Sequence, residues 1–314
     1  REKNVLFFSE IEEMDYPAAL ALVDEMREMI PEGSSPPREY TDALNTMIQT
    51  FSSIQRICVS SLSPTVRNTP FKDPFILKMT APDGSPIAAL PVEIYYPVSG
   101  YNNKYEFASE TVLTGDDGTV VFQPPIPSFS CNTTISTRIA LNSSIPEIQG
   151  ILSELTEGSE WKVSTSIKGK PVVIALVDFE KDNTPIITNN KTATALLSVF
   201  MKNGYARMGL ADFTSPIAAG NDEAVYKEAK RLLGNEIPYM IYGTVKYNKI
   251  EQTDAGYYIG LTASVKAMDL IHKTLLYETE VTMGASGRTE TMALNNARQI
   301  LAREGLFDKL IYGI

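Results

Sequence analysis

Three carboxylates, Asp178, Glu180 and Asp182, follow directly on the apolar run at residues 172–177. In α/β proteins the loop beyond a strand's carboxyl end is a common place for a site. Carboxylates there could hold a cation, or move protons as a hydrolase does; a solvated polar loop is the expected reading. His272, the one histidine of 314 residues, is predicted on the polar phase of a strand beside Lys273. A catalytic imidazole needs an orienting carboxylate and a nucleophile, and sequence alone cannot show either nearby. Gly284-Ala285-Ser286-Gly287-Arg288 precedes a predicted helix whose first amides could hold an anion. It lacks the P-loop lysine and a complete Gly-x-Gly-x-x-Gly, so a flexible turn is expected. Asp116 and Asp117 lack the repeated oxygen ligands of a calcium loop and are read as a hairpin turn. Cys58 and Cys131 are too few for a zinc site or a disulfide framework. Tyr239, Tyr242, Tyr247, Tyr257 and Tyr258 offer faces for a sugar, or equally for cross-strand packing. The reading therefore assigns no catalytic residue, no metal ligand and no cofactor. It keeps Asp178, Glu180, Asp182, Tyr242 and Tyr258 as candidates for ligand binding.

The elements that would position these residues can be read from hydrophobic period. Residues 172–177 are apolar at every position, which predicts a central strand covered on both faces. Ala195, Leu196, Val199 and Phe200 form a helical stripe stopped at Asn203-Gly204. A second strand is expected from Tyr205 to Leu210, and a second helix carries Asp222, Val225, Ala229 and Leu232. Three alternating segments beginning at Tyr239, Tyr257 and Leu275 predict antiparallel strands, the first two joined through Thr253-Asp254-Ala255-Gly256. A last helix places Ala293, Ala297, Ile300 and Leu301 on one stripe and is expected to end at Gly305.

Ahead of this lie two other textures. Residues 1–69 read as helical: Asp15 is a candidate N-cap with Pro17 in the first turn. Ala19, Val23, Met26 and Ile30 make one buried stripe, ended by Pro31. A third helix runs from about Arg38 through Met47 and Phe51. The pattern Asp15-Tyr16-x-x-Ala19…Val23…Met26…Pro31 resembles the second half of a tetratricopeptide repeat. One repeat cannot bury its own face, so either more helix precedes Arg1 or these helices pack on the rest of the chain. The methionines Met14, Met26, Met29 and Met47 fit core filling or an adaptable surface.

Residues 70–168 switch to period two with Asp-Gly turns, the pattern of a small antiparallel sandwich. The residues Asp83-Gly84-x-Pro86…Pro91-Val92-x-Ile94 and Thr114-x-x-Asp117-Gly118-Thr119-Val120-x-Phe122 resemble a bacterial immunoglobulin-like domain. That resemblance implies a spacer or presentation module. Residues 169–314 resemble the α/β fold shared by the curli-secretion lipoprotein and the N-terminal domain of the Tol-system propeller protein. Residues 173–179, 194–204 and 239–245 and Val265-x-x-Met268-Asp269 carry the likeness. It implies a periplasmic or outer-membrane-associated part, often oligomeric, that contacts other envelope proteins. The curli protein's membrane-inserting strands have no counterpart here, since no lipid-facing apolar band exists.

The expected class is thus multidomain α+β: a helical segment (1–69), an immunoglobulin-like β-sandwich (70–168) and an α/β sandwich with a mixed sheet (169–314). A net charge of −10 argues against nucleic acid and against anionic lipid, and no run approaches the ~20 apolar residues of a membrane span. The chain opens Arg1-Glu2-Lys3 without Met, so any export signal or lipid anchor would lie upstream. The functional expectation is a non-enzymatic envelope scaffold that contacts other envelope proteins or itself. A small-ligand or glycan-binding envelope protein is the alternative.

Overall fold

The computed structural model describes residues 2–101, 104–165, 167–254 and 256–314. Ala255, in the loop predicted after Thr253, lies outside them. The fold is mixed α+β and divides into two compact units. The first comprises Arg1–Ser99, Tyr105–Pro127 and Asn132–Lys162; the second comprises Gly100–Lys104, Ser128–Cys131 and Val163–Ile314.

The first unit begins with α1 (Glu2–Glu12), α2 (Tyr16–Glu28) and α3 (Arg38–Ser53). Asp15 caps α2, its carboxylate accepting from the Ala18 amide at 3.0 Å, and Pro17 occupies the first turn. Helix α2 buries Tyr16, Ala19, Leu20, Val23 and Met26; α3 buries Tyr40, Ala43, Met47 and Phe51. These are the 3-and-4 spacings of a single stripe, and the Tyr16 and Phe51 rings meet edge-on at 6.3 Å. Of the methionines, Met26 and Met47 fill this core and Met29 is exposed. Asp24 Oδ1 accepts from Ser143 Oγ, Ser144 N and Ser144 Oγ at 2.8–3.0 Å. The helices are thereby tied to the chain that leads into α4 (Pro146–Leu152).

The strands of this part are β1 (Gln55–Ser60), β2 (Thr65–Val66), β3 (Phe75–Thr80), β4 (Pro91–Tyr101), β5 (Lys104–Leu113), β6 (Thr119–Phe122), β7 (Cys131–Ile139) and β8 (Thr156–Ser164). They form two sheets, ordered β1-β3-β6 and β2-β8-β7-β4-β5. β3 pairs antiparallel with β1 and β6, and β4 pairs antiparallel with β7. Residues 55–69 were expected in the helical segment, but the chain there already runs as β1 and β2. β1 joins β3 in register from Gln55↔Thr80, a long-range pairing that local propensity does not encode. Aromatic rings link the sheets: Tyr96 lies 5.0 Å from Phe122 and 6.2 Å from fully buried Trp161, and Phe71 lies 4.7 Å from Trp161. The Asp-Gly turns form as read. Asp117 Oδ1 accepts from both the amide and the hydroxyl of Thr119, and Gly118 takes φ +75°.

In the second unit the order is β9 (Val172–Asp178), α5 (Lys191–Lys202), β10 (Met208–Leu210), α6 (Thr214–Ala218), α7 (Asp222–Leu233), β11 (Tyr239–Thr253), β12 (Gly256–Asp269), β13 (Thr274–Gly287) and α8 (Glu290–Ile300). A π-helical segment, Leu301–Phe307, then leads into α9 (Asp308–Gly313). One five-stranded sheet runs β10-β9-β11-β12-β13; β9 is parallel to both neighbours and the remaining pairs are antiparallel. Alternate residues of β9 divide between two cores. Val172, Ile174 and Leu176 face the layer that includes Leu196, Phe200, Ala297 and Leu310. Val173, Ala175 and Val177 face Ile217, Val225 and Ala229. Burial on both faces is the physical reason for an unbroken apolar strand.

Four local expectations are corrected. The strand expected from Tyr205 is only Met208–Leu210, because Tyr205 turns into the core against Phe200 and Phe307 instead. The helix expected to stop at Gly305 continues to Gly313, since Leu306, Phe307, Leu310 and Ile311 prolong the apolar stripe. Gly305 is a packing residue: a Cβ there would stand 2.8 Å from Val281 Cγ1. Residues 284–287 are the end of β13, not a flexible turn, and stay paired to β12 as far as Tyr257↔Gly287. His272 sits in the turn between β12 and β13, where Asp269 accepts the amides of Ile271 and His272.

Candidate functional site

The carboxyl end of β9 holds a buried polar cluster of the α/β unit. Asp178 is the last residue of the strand and is 1% exposed. Its Oδ2 accepts the amide of Thr192 at 3.1 Å, in the first turn of α5. Asn190, the N-cap of that helix, turns its own Oδ1 back to the Asp178 amide at 2.7 Å. Asn190 thus caps the end of the strand while Asp178 caps the first turn of the helix, and the carboxylate lies at the positive end of the α5 dipole. From α8, Arg298 brings Nε to 3.7 Å from Asp178 Oδ2, with its side chain 9% exposed. Among the described residues, Asp178 Oδ1, Thr192 Oγ1 and Arg298 Nε find no hydrogen-bond partner. The result is a desolvated ion pair that pins α5 and α8 to the central strand.

Glu180 and Asp182 do not join it. Beyond Asp178 the chain closes a tight turn in which Glu180 N reaches Thr184 O at 2.8 Å. Asp182 Oδ1 accepts the Thr184 amide at 3.0 Å. Hydrogen bonds from the hydroxyl and amide of Thr184 lower the Asp182 carboxyl below its ordinary range. Both side chains face solvent, so Asp178, Glu180 and Asp182 point apart. Among the described residues no three His, Cys, Asp or Glu side chains are grouped as metal ligands would be.

Tyr242 belongs to the other face of the sheet. It stands opposite Ala175 in β9 and Lys266 in β12, and its Oη donates to Asp222 Oδ1 at 3.1 Å. Burial, followed by the neighbouring Asp222 carboxylate, pushes its phenol well above the ordinary value. Lys266 Nζ bonds Asp222 Oδ2 at 2.6 Å and lies 3.8 Å from Glu278. These groups border a cleft of about 150 Å³ between α6 and the sheet. Tyr258 is eight residues further along β12, roughly 26 Å away at strand rise. Its ring covers Gly284 and approaches Lys249, whose Nζ is 6.0 Å from the ring centroid. His272 Nδ1 lies 2.8 Å from Asp269 Oδ2 on the exposed turn.

Arg298 is the partner that sequence reasoning missed. It lies one residue past the Ala293–Ala297 stripe and so has the spacing of a surface residue. Its burial depends on the long-range approach of α8 to β9.

Cys58 and Cys131 are not joined in a disulfide. Cys58 is exposed on β1, whereas burial pushes the Cys131 thiol up to about 12. A thiol reagent at neutral pH is expected to modify Cys58 rapidly and Cys131 after denaturation, because the thiolate is the reactive form. Equal rates for both in the native protein would contradict the burial of β7.

Residues 171–311 match the family model of the TP0693-like lipoprotein, C-terminal domain. An uncharacterized lipoprotein of Treponema pallidum (strain Nichols) is 23% identical over 197 residues, 62% of this chain. The match spans 40% of that relative's length. Solved structures with a likeness include the PelC dodecamer from Paraburkholderia phytofirmans, at 12% identity, 44% of this chain, 85% of that one and TM-score 0.31. Lipoprotein GNA1162 from Neisseria meningitidis shows 7% identity, 40% and 90% coverage and TM-score 0.24. TolB from Acinetobacter baumannii shows 15% identity, 43% and 29% coverage and TM-score 0.19. The family and the Treponema relative support a bacterial lipoprotein. No helix of the described residues is long and apolar enough to cross a membrane.

Proposed function

We propose that this chain is a non-enzymatic scaffold of the bacterial cell envelope, an extracytoplasmic lipoprotein that contacts other envelope proteins or further copies of itself. In this reading the tetratricopeptide-like helices and the α/β unit make contacts, and the immunoglobulin-like strands space them. The observation that carries it is apolar surface on the helices. Val5, Leu6 and Phe8 on α1 are 68, 52 and 38% exposed, and Met29 at the end of α2 is 61% exposed. Grouped exposure of this kind marks interaction surface more often than solvent-facing helix. The family match supports the envelope setting; the periplasmic or outer-membrane side is part of the proposal.

The alternative, a small-ligand or glycan site, rests on Tyr242 and Tyr258. Their separation and the small size of the cleft at Tyr242, below the ~300 Å³ of most ligand sites, favour the scaffold. Mild detergent extraction from the native membrane followed by native mass determination tests the proposal. The scaffold predicts an assembly of defined stoichiometry, heavier than the 34.6 kDa accounted for by this chain. A monodisperse single copy would contradict it.

A further inference from the structure

Resting on the scaffold reading, we infer that the groove between α1, the end of α2 and the start of α3 is the docking site for a basic amphipathic helix of a partner protein. The groove encloses about 740 Å³ and is walled by Met26, Met29, Ile30, Pro31 and Tyr40, with Glu2 and Glu39 at its edge. Methionines make such walls adaptable to a partner's side chains. The apolar surface continues beyond the groove. Leu6 lies one helical turn from Glu2 on α1, and Val5 stands beside it, both more than half exposed. A small molecule would fill the groove and leave that strip uncovered. A helix with anchors at i, i+3, i+4 and i+7 would cover both.

Charge selects the partner. Residues 1–53 carry eleven acidic and four basic side chains, so this sixth of the chain supplies seven of its ten net negative charges. Lys3, the cation that lines the groove, pairs with Glu25, and Arg38 lies 3.6 Å from Asp42. An acidic rim around an apolar groove repels anionic lipid and acidic peptides, and steers a lysine- or arginine-bearing helix into place.

The test uses the whole chain and two labelled peptides of about 18 residues, five helical turns. One has a leucine stripe with lysines on the remaining positions; the other replaces every lysine by glutamate. Fluorescence anisotropy is expected to show binding of the basic peptide and none of the acidic one. Raising salt from about 0.05 to 0.5 M should weaken binding several-fold. Met29→Ser should weaken it at least about tenfold, from the loss of one buried anchor. Glu2→Lys with Glu39→Lys should do the same while admitting the acidic peptide. All three substituted side chains are exposed, so folding is unaffected and circular dichroism verifies it. Absence of binding, equal binding of both peptides or indifference to Met29→Ser would overturn the inference. So would self-association in sedimentation that Met29→Ser abolishes, since a second copy would then be the occupant. A native assembly that persists while the peptide fails to bind removes this inference alone. Peptide binding by a chain that is solitary in its membrane removes the scaffold reading alone.

Discussion

Replacing Arg298 by alanine is expected to lower the unfolding free energy of the α/β unit by about 3–5 kcal/mol, the usual cost of stranding one half of a buried ion pair. The mechanism is specific. Asp178 is 1% exposed and would be left with only the Thr192 amide and the α5 dipole as partners. Removing the charge as well should restore much of the loss. The double variant Asp178→Asn, Arg298→Met is expected to be more stable than Arg298→Ala alone, because no uncompensated ion remains buried. Urea unfolding followed by circular dichroism measures both. A loss below about 1 kcal/mol for Arg298→Ala would show that the pair is solvated and that the helices are held to β9 by apolar contacts.

Gly243→Val should be more severe and leave no folded α/β unit. At this position a Cβ would stand 2.1 Å from Ser264 O, 3.0 Å from Ser264 C and 2.9 Å from Val265 Cα, all backbone atoms of β12. No rotamer change relieves a clash with backbone. β11 would have to separate from β12 within a pairing that runs from Tyr239↔Asp269 to Thr253↔Gly256. Ordinary overpacking costs about 1–3 kcal/mol; losing ladder hydrogen bonds in addition approaches the roughly 5–15 kcal/mol that holds a domain together. Gly209→Ala on β10, which meets nothing within 4 Å, is the control and should fold. Soluble, cooperatively unfolding Gly243→Val would mean that β11 and β12 are not paired closely at this point.

These two residues also mark what could and could not be read from the chain. The strand at residues 172–177, the cap at Asp15, the Asp117-Gly118 turn and the three long antiparallel strands follow from local rules of period and turn chemistry, and each is found. What failed was set by distant partners. β1 is a strand because β3 lies beside it, not because residues 55–60 have strong β character. Gly305 looks like a helix stop until Val281 and Met283 are seen packed against it. The Asp178, Glu180 and Asp182 cluster was legible as a sequence spacing, but its meaning was not. One carboxylate turns inward to Arg298, 120 residues away, and two turn outward, a division that follows from the pleat and the capping of α5. The exposure of Val5, Leu6 and Phe8 on α1 depends on how the three helices pack, which local rules do not give.

The central claim is that this chain works by contact made through its helical front. A photo-crosslinking residue placed at Leu6, compared in the native envelope with one at exposed Lys227 on α7, tests it most directly. The account predicts a discrete, heavier protein adduct from position 6 that is lost on Met29→Ser, with no such adduct from position 227. No adduct at position 6, or the same products from both positions, would contradict it.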